Sequence, residues 1–207
     1  MPNWCNNDLI LQHEDPGQLE RFRTAFLQGR TLQEFIPCPQ PLIDTISGYK
    51  PQGYEQDLHE AIQEVNRKHF GYANWYDFCI ARWGVKWDIG GPDSFLKIEG
   101  NTLTCSFISA WDPPLAAYNE LIEMGFRVDA KYWEPGACFV GTYTNEDDCA
   151  YEYTDLESLN RIPAELVDFY DLVTNFEEET MKPCISIRIF FGLLNMVCLL
   201  LPVWVLE

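Results

Sequence analysis

Apolar and polar positions change period along the first two thirds of the chain, and the changes mark out a set of elements. From Asn3 to Gln12 the apolar residues Trp4, Leu9, Ile10 and Leu11 sit among polar ones in a run that predicts a first strand. Asp15 then precedes Pro16, an N-cap followed by a proline at the first helical position, and Leu19, Phe22 and Phe26 recur at helical spacing until Gly29. Phe95 to Glu99 and Thr102 to Ala110 read as two strands joined at Gly100 and Asn101, residue types that a tight hairpin requires. Asp112, Pro113 and Pro114 repeat the helix-opening signal, and Leu115, Tyr118, Leu121 and Ile122 form a stripe that Gly125 closes. Phe126, Val128, Ala130 and Tyr132 alternate with Arg127, Asp129, Lys131 and Trp133, the period of a half-buried strand.

The order is strand, helix, strand, strand, helix, strand. It predicts an α+β domain with a ferredoxin-like split βαβ antiparallel sheet. Ala137 to Thr144 and Cys149 to Thr154, flanking Asn145 to Asp148, add a C-terminal hairpin. Residues 31–93 are too long for a bare loop and are expected to be a mainly helical insertion. Tyr54, Leu58, Ala61, Ile62 and Val65 fall on one helical stripe there, and Asn74 is placed to cap a shorter helix that runs through Arg82 to Gly84. The expected domain spans 1–155. An acidic helical extension broken at Pro163 follows over 156–182, and an apolar tail over 183–207.

Charge sharpens this division. Residues 1–144 hold 19 acids against 11 bases, residues 145–179 hold 12 against one, and residues 180–207 hold one against two, giving −8, −11 and +1, or −18 in all. A polyanion is a poor partner for such a chain, so no direct nucleic-acid binding is expected. The eight cysteines show no C-x-x-C spacing and Met1 opens no signal peptide, which points to free thiols in a reducing cytoplasm. Ile189 to Leu206 carries no charge and follows Lys182 and Arg188. It reads either as a C-terminal membrane anchor with the domain in the cytoplasm, or as a tail of different origin interrupted by Gly192, Asn195 and Pro202.

The spacings of familiar catalytic cradles are absent: no G-x-x-x-x-G-K-[ST], no G-x-G-x-x-G, no G-x-S-x-G. His13, His59 and His69 have neither H-x-x-x-H spacing nor a neighbouring cysteine pair, so neither metal nor cofactor is expected. No catalytic residue is assigned. Aromatic residues are the distinctive chemistry. Trp4, Trp75, Trp83, Trp87, Trp111 and Trp133 all fall in the domain, and Trp83-Gly84-Val85-Lys86-Trp87-Asp88 sets one cation between two indoles. Two readings follow. The rings are core packing, or Trp83, Trp87 and Trp111 roof the site of a small-ligand-binding protein or enzyme with Tyr132, in which Lys86 and Glu134 are the polar groups, Glu134 accepting from Lys86.

Six strings, in order, resemble the YubB-like or Api-like family of phage, plasmid and bacterial proteins. They are Pro2-Asn3-Trp4-Cys5-Asn6-Asn7, Pro37-Cys38-Pro39 with Leu42, Trp75-Tyr76-Asp77-Phe78-Cys79, Trp83-Gly84-Val85-Lys86-Trp87-Asp88, Ala110-Trp111-Asp112-Pro113-Pro114 and Tyr132-Trp133-Glu134-Pro135-Gly136. The resemblance covers residues 1–155 and implies a ferredoxin-like domain carried on a mobile element. It supplies no activity and no catalytic residue. With the charge pattern it leads to an expected non-enzymatic, acidic interaction module that meets the basic surface of a protein partner. A host nucleic-acid-binding protein blocked by charge mimicry fits that description. The expected partner surface comprises Glu146, Asp147, Asp148, Glu152, Asp155 and Glu157.

Overall fold

The computed structural model describes residues 3–48, 53–145 and 147–179. Strand β1 (Trp4–Gln12) leads into α1 (Pro16–Leu27). Four helices follow: α2 (Thr31–Phe35), α3 (Gln40–Ile43), α4 (Tyr54–Phe70) and α5 (Trp75–Arg82). Then come β2 (Phe95–Glu99), β3 (Thr102–Ala110), α6 (Leu115–Glu123), β4 (Arg127–Glu134), β5 (Phe139–Thr144) and β6 (Asp147–Glu152). A 3-10 turn (Ser158–Arg161), α7 (Ala164–Phe169) and α8 (Leu172–Glu179) close the described chain. The capping chemistry operates as its residue types dictate. Asp15 Oδ1 accepts from the Gly17 amide at 2.8 Å, and Asn74 Oδ1 accepts from Tyr76 and Asp77 at 2.9 and 3.1 Å.

The molecule is a mixed α/β protein built on a six-stranded sheet in the order β2-β3-β1-β4-β5-β6, with every neighbouring pair antiparallel. On β1 the odd positions Cys5, Asn7, Leu9 and Leu11 are buried, and the register sets Leu9 beside Cys105 and Ala130. That face receives α1 through Leu19, Phe22 and Phe26, and α6 through Tyr118 and Leu121. Period two on the strands meets period 3.6 on the helices, and one core results.

The last two strands depart from their expected limits for local reasons. Strand β5 starts at Phe139 rather than Ala137, because the Glu134 carboxylate holds the Gly136 and Ala137 amides in a turn and Cys138 takes φ 56°. Strand β6 begins at Asp147 rather than Cys149. As an edge strand it accommodates polar side chains, and Asp147 and Asp148 pair with Thr144 and Tyr143.

The acidic extension packs onto the sheet. Leu159, Ile162, Leu166, Tyr170 and Leu172 are buried with Val140 and Tyr153 in a second cluster against which Trp133 packs, on the side of β4 and β5 away from the first core. Burial of the four aliphatic side chains stabilises by about 1.5–3 kcal/mol each before ordering costs. Two hydrogen bonds fix this second cluster. The Trp133 indole N–H donates to the Tyr153 hydroxyl at 2.7 Å, and the Tyr170 hydroxyl donates to Asp8 Oδ2 at 3.0 Å.

Among the described residues no helix is long and apolar enough to cross a membrane. The anchor reading of Ile189 to Leu206, and Glu146 of the acidic set, lie outside the described residues.

Candidate functional site

The end of the sheet where β1 begins and β3 finishes collects the aromatic residues. Gly84, with φ 82°, turns the chain sharply after α5; a side chain there would meet the amides of Ala116 and Leu115 at 3.2 and 3.3 Å. This close approach brings residues 85–88 alongside the start of α6, with the Ala117 amide donating to the Trp83 carbonyl at 3.3 Å. Asp88 then anchors the segment. Its carboxylate accepts from the Leu32, Gln33 and Ile89 amides at 2.7, 2.8 and 2.8 Å, serving the amino end of α2 from a distant part of the chain. Burial pushes the Asp88 carboxyl above its ordinary range, and the three amides oppose that shift.

Lys86 and Trp87 project from this fixed segment. The Lys86 ammonium lies 4.7 Å from the Trp87 ring centroid and 5.9 Å from each of the Trp111 and Tyr76 rings. Trp111 stacks on Trp87 with centroids 6.1 Å apart and planes 21° apart, and Trp4 reaches the other indole neighbour position at 6.0 Å from Trp87. The three indoles are each a little over 40% exposed, so the cluster is an open platform. Trp111 takes φ 66°, a conformation that is costly for a bulky side chain. Its amide donates to the Asn3 carbonyl at 3.0 Å. Behind it, Asn7 Nδ2 donates to Ser109 Oγ at 2.8 Å, and Ser109 Oγ donates to the Asp112 carbonyl at 2.6 Å. These bonds, rather than the intrinsic preference of Trp111, hold the turn.

Of the six residues expected to form a ligand site, Lys86, Trp87 and Trp111 come together and three do not. Trp83 is core: it is buried, its indole N–H donates to the Ile36 carbonyl at 2.9 Å, and it lies edge-on to Phe78. Tyr132 is also buried, and its hydroxyl donates to Asp148. Glu134 is buried and accepts from the Gly136 amide at 2.8 Å, from the Ala137 amide and from the Asn3 side chain. The expected ion pair between Lys86 and Glu134 is therefore not formed; the carboxylate serves its own turn and the ammonium lies over rings. Burial raises the Glu134 carboxyl above its usual range. Two cavities among the described residues, of about 540 and 350 Å³, are bordered by other residues, His59 and Arg67 in one and Tyr72 and Phe78 in the other, so the indoles roof neither.

Trp4 and Tyr76 complete the platform, although the sequence by itself marks neither as a site residue. Both occur in the family-like strings, but joining them to Lys86 requires the register Trp4–Ala110 and the packing of α5.

Of the acidic set, Asp147, Asp148, Glu152, Asp155 and Glu157 are exposed along β6 and the turn after it. Asp155 Oδ1 accepts from the Ser158 amide at 2.7 Å, and this contact holds its carboxyl below the ordinary range. The aligned row Ile108–Asn6–Trp133–Val140–Tyr151 crosses five strands. Trp4, two residues before Asn6, and Glu152, one after Tyr151, therefore leave the sheet at the same end. Three strand spacings separate β1 from β6, about 15 Å.

Burial raises the thiols of Cys5 and Cys105 well above their ordinary value, and pushes Cys38 up to about 11 and Cys79 up to about 12. Among the described residues no group of three or more His, Cys, Asp or Glu side chains is placed to hold a metal ion.

The fold and the exposed end of the sheet define a mixed α/β protein with an aromatic platform. No family model matches the chain, and no curated protein matches it. Among solved structures it is similar to the protein api92 from Yersinia pseudotuberculosis, of family DUF1281, at a TM-score of 0.41 and 12% identity. The match covers 75% of this chain and 99% of that one.

Proposed function

We propose that this protein is a non-enzymatic interaction module that docks this end of its sheet onto the basic surface of a protein partner. The observation that carries the reading is Trp111, an exposed indole held in a costly backbone conformation against Trp87. Tryptophans anchor interfaces because a single side chain removes a large apolar area from water, and strain is retained where the surroundings enforce a useful geometry. Glu152 at the same end, followed in the chain by the exposed Asp155 and Glu157, supplies negative charge that attracts a basic partner and speeds its approach. A host nucleic-acid-binding protein is the partner class that charge mimicry favours.

The strand order β4-β1-β3-β2 and the two strand–helix–strand crossings support a ferredoxin-like core within this reading. The six ordered strings support a place in the YubB-like or Api-like family, with a home on a mobile element and the domain in the cytoplasm.

Affinity capture with the full-length chain at low and at high ionic strength tests the function. A specific partner recovered at low salt, weakened at high salt and lost with Trp87→Ala/Trp111→Ala is the expected result. Failure to recover a specific partner under either condition would sink the reading.

A second reading uses the same platform for a small planar ligand, with Lys86 as the group that meets an anion. Thermal stabilisation by a metabolite that disappears in Lys86→Met, with no protein captured, is the outcome that selects it.

A further inference from the structure

Helix α4 is amphipathic, yet it turns its polar side inward. His59 and Asn66 are its buried residues. His59 Nε2 is 3.0 Å from the Gly48 carbonyl, and Asn66 Nδ2 donates to Thr45 Oγ1 at 2.9 Å and to the Ala73 carbonyl at 3.0 Å. The apolar stripe points to water: Tyr54 is 81% exposed, Leu58 48%, Ile62 44% and Val65 54%, with Ala61 exposed between them. An amphipathic helix ordinarily buries this stripe. Tyr54, Leu58, Ala61 and Val65 repeat at intervals of four, three and four, the seam spacing of paired helices, and the small Ala61 lies near its middle.

We infer that α4 is a self-association face, on which a second copy of this chain lays its own α4 in antiparallel orientation about a two-fold axis near Ala61. The charges along the helix select that occupant. The first turn carries Glu55 and Asp57 and the last carries Arg67, Lys68 and His69. Antiparallel pairing centred between Ala61 and Ile62 brings Leu58 against Val65 of the second copy, and Glu55 within reach of Lys68 of the second copy, twice by symmetry. Parallel pairing would set acid on acid and base on base. The helix is about 25 Å long, so the contact is modest in size and the association is concentration-dependent.

Sedimentation equilibrium of the full-length chain tests this, alongside Leu58→Asp/Val65→Asp, whose side chains are exposed and whose replacement leaves the fold intact by circular dichroism. The expected result is a dimer that weakens at least tenfold in the double variant. Glu55→Lys and Lys68→Glu each weaken it, and the two together restore it. Ala61→Cys cross-links between copies above the background of the native cysteines. A monomer at every concentration overturns the inference. So does a dimer indifferent to the Asp substitutions, or association that vanishes only when residues 183–207 are deleted, which would assign the contact to that segment. An exposed stripe that captures a different protein while the chain stays monomeric overturns it equally.

Discussion

Trp111 stacks on Trp87 across 6.1 Å while its own backbone stands at φ 66°, so the contact between these two indoles is made against local preference. The Asn7–Ser109–Asp112 hydrogen bonds and the Asn3 carbonyl enforce it.

Removal of the ring and removal of the strain therefore separate. Trp111→Ala loses the stack and keeps the strained backbone, whereas Trp111→Gly loses the stack and relaxes it. In urea denaturation the glycine variant should be more stable than the alanine variant by about 1 kcal/mol. A more stable alanine variant would show that the turn imposes no such cost.

Lys86 and Glu134 should behave oppositely. Glu134→Gln replaces a buried carboxylate that accepts from three donors, and should cost about 1–3 kcal/mol of stability. Lys86→Met keeps a flexible stem over the rings and should change stability by less than about 1 kcal/mol. Guanidinium unfolding of both variants decides the matter, and equal losses would mean that Lys86 is structural as well.

Asp88 ties the platform segment to α2, and its absence leaves the Leu32 and Gln33 amides without their acceptor. Asp88→Ala should cost about 2–4 kcal/mol. Its raised carboxyl also fixes the sign of a pH effect. Between the unfolded and the folded values the native state holds a proton that the unfolded chain releases, so this contribution to stability falls as pH rises through that window. Unfolding curves at several mildly acidic pH values, with Asp88→Asn as the control that cannot titrate, should show a shallower slope in the control.

The free thiols divide by burial. Cys149 is exposed, whereas Cys5, Cys38, Cys79 and Cys105 are buried with raised thiols. With a thiol reagent at pH 8, Cys149→Ser should remove one rapidly reacting equivalent, and Cys38→Ser or Cys79→Ser none. Loss of a rapid equivalent on Cys79→Ser would place that side chain within reach of solvent.

The predicted hairpin limits Phe95–Glu99 and Thr102–Ala110 coincide with β2 and β3, and Asp15 and Asn74 cap the helices they precede. Elements of this kind are legible because their signals are local: a turn residue, a cap or a period acts within one or two helical turns of itself. The helix over α4 was legible for the same reason. Which side of it would face the core was not, because that depends on Thr45 and Ala73 meeting Asn66 from outside the helix.

The candidate site follows the same division. Lys86 and Trp87 are sequence neighbours, and their association could be read directly; Trp4 and Tyr76 join them only through sheet register and helix packing. Trp83 and Trp87 stand four residues apart, yet one donates its N–H inside the core and the other stacks on the exposed platform. Residue types and short-range spacing thus determined the order of strands and helices apart from the short α2 and α3, the caps and the charge of each segment, since those depend on interactions near in sequence. The tertiary structure alone decided which indoles are exposed, where the buried carboxylates are used and that the acidic extension covers the second sheet face, because each is set by a competition for partners that are distant along the chain.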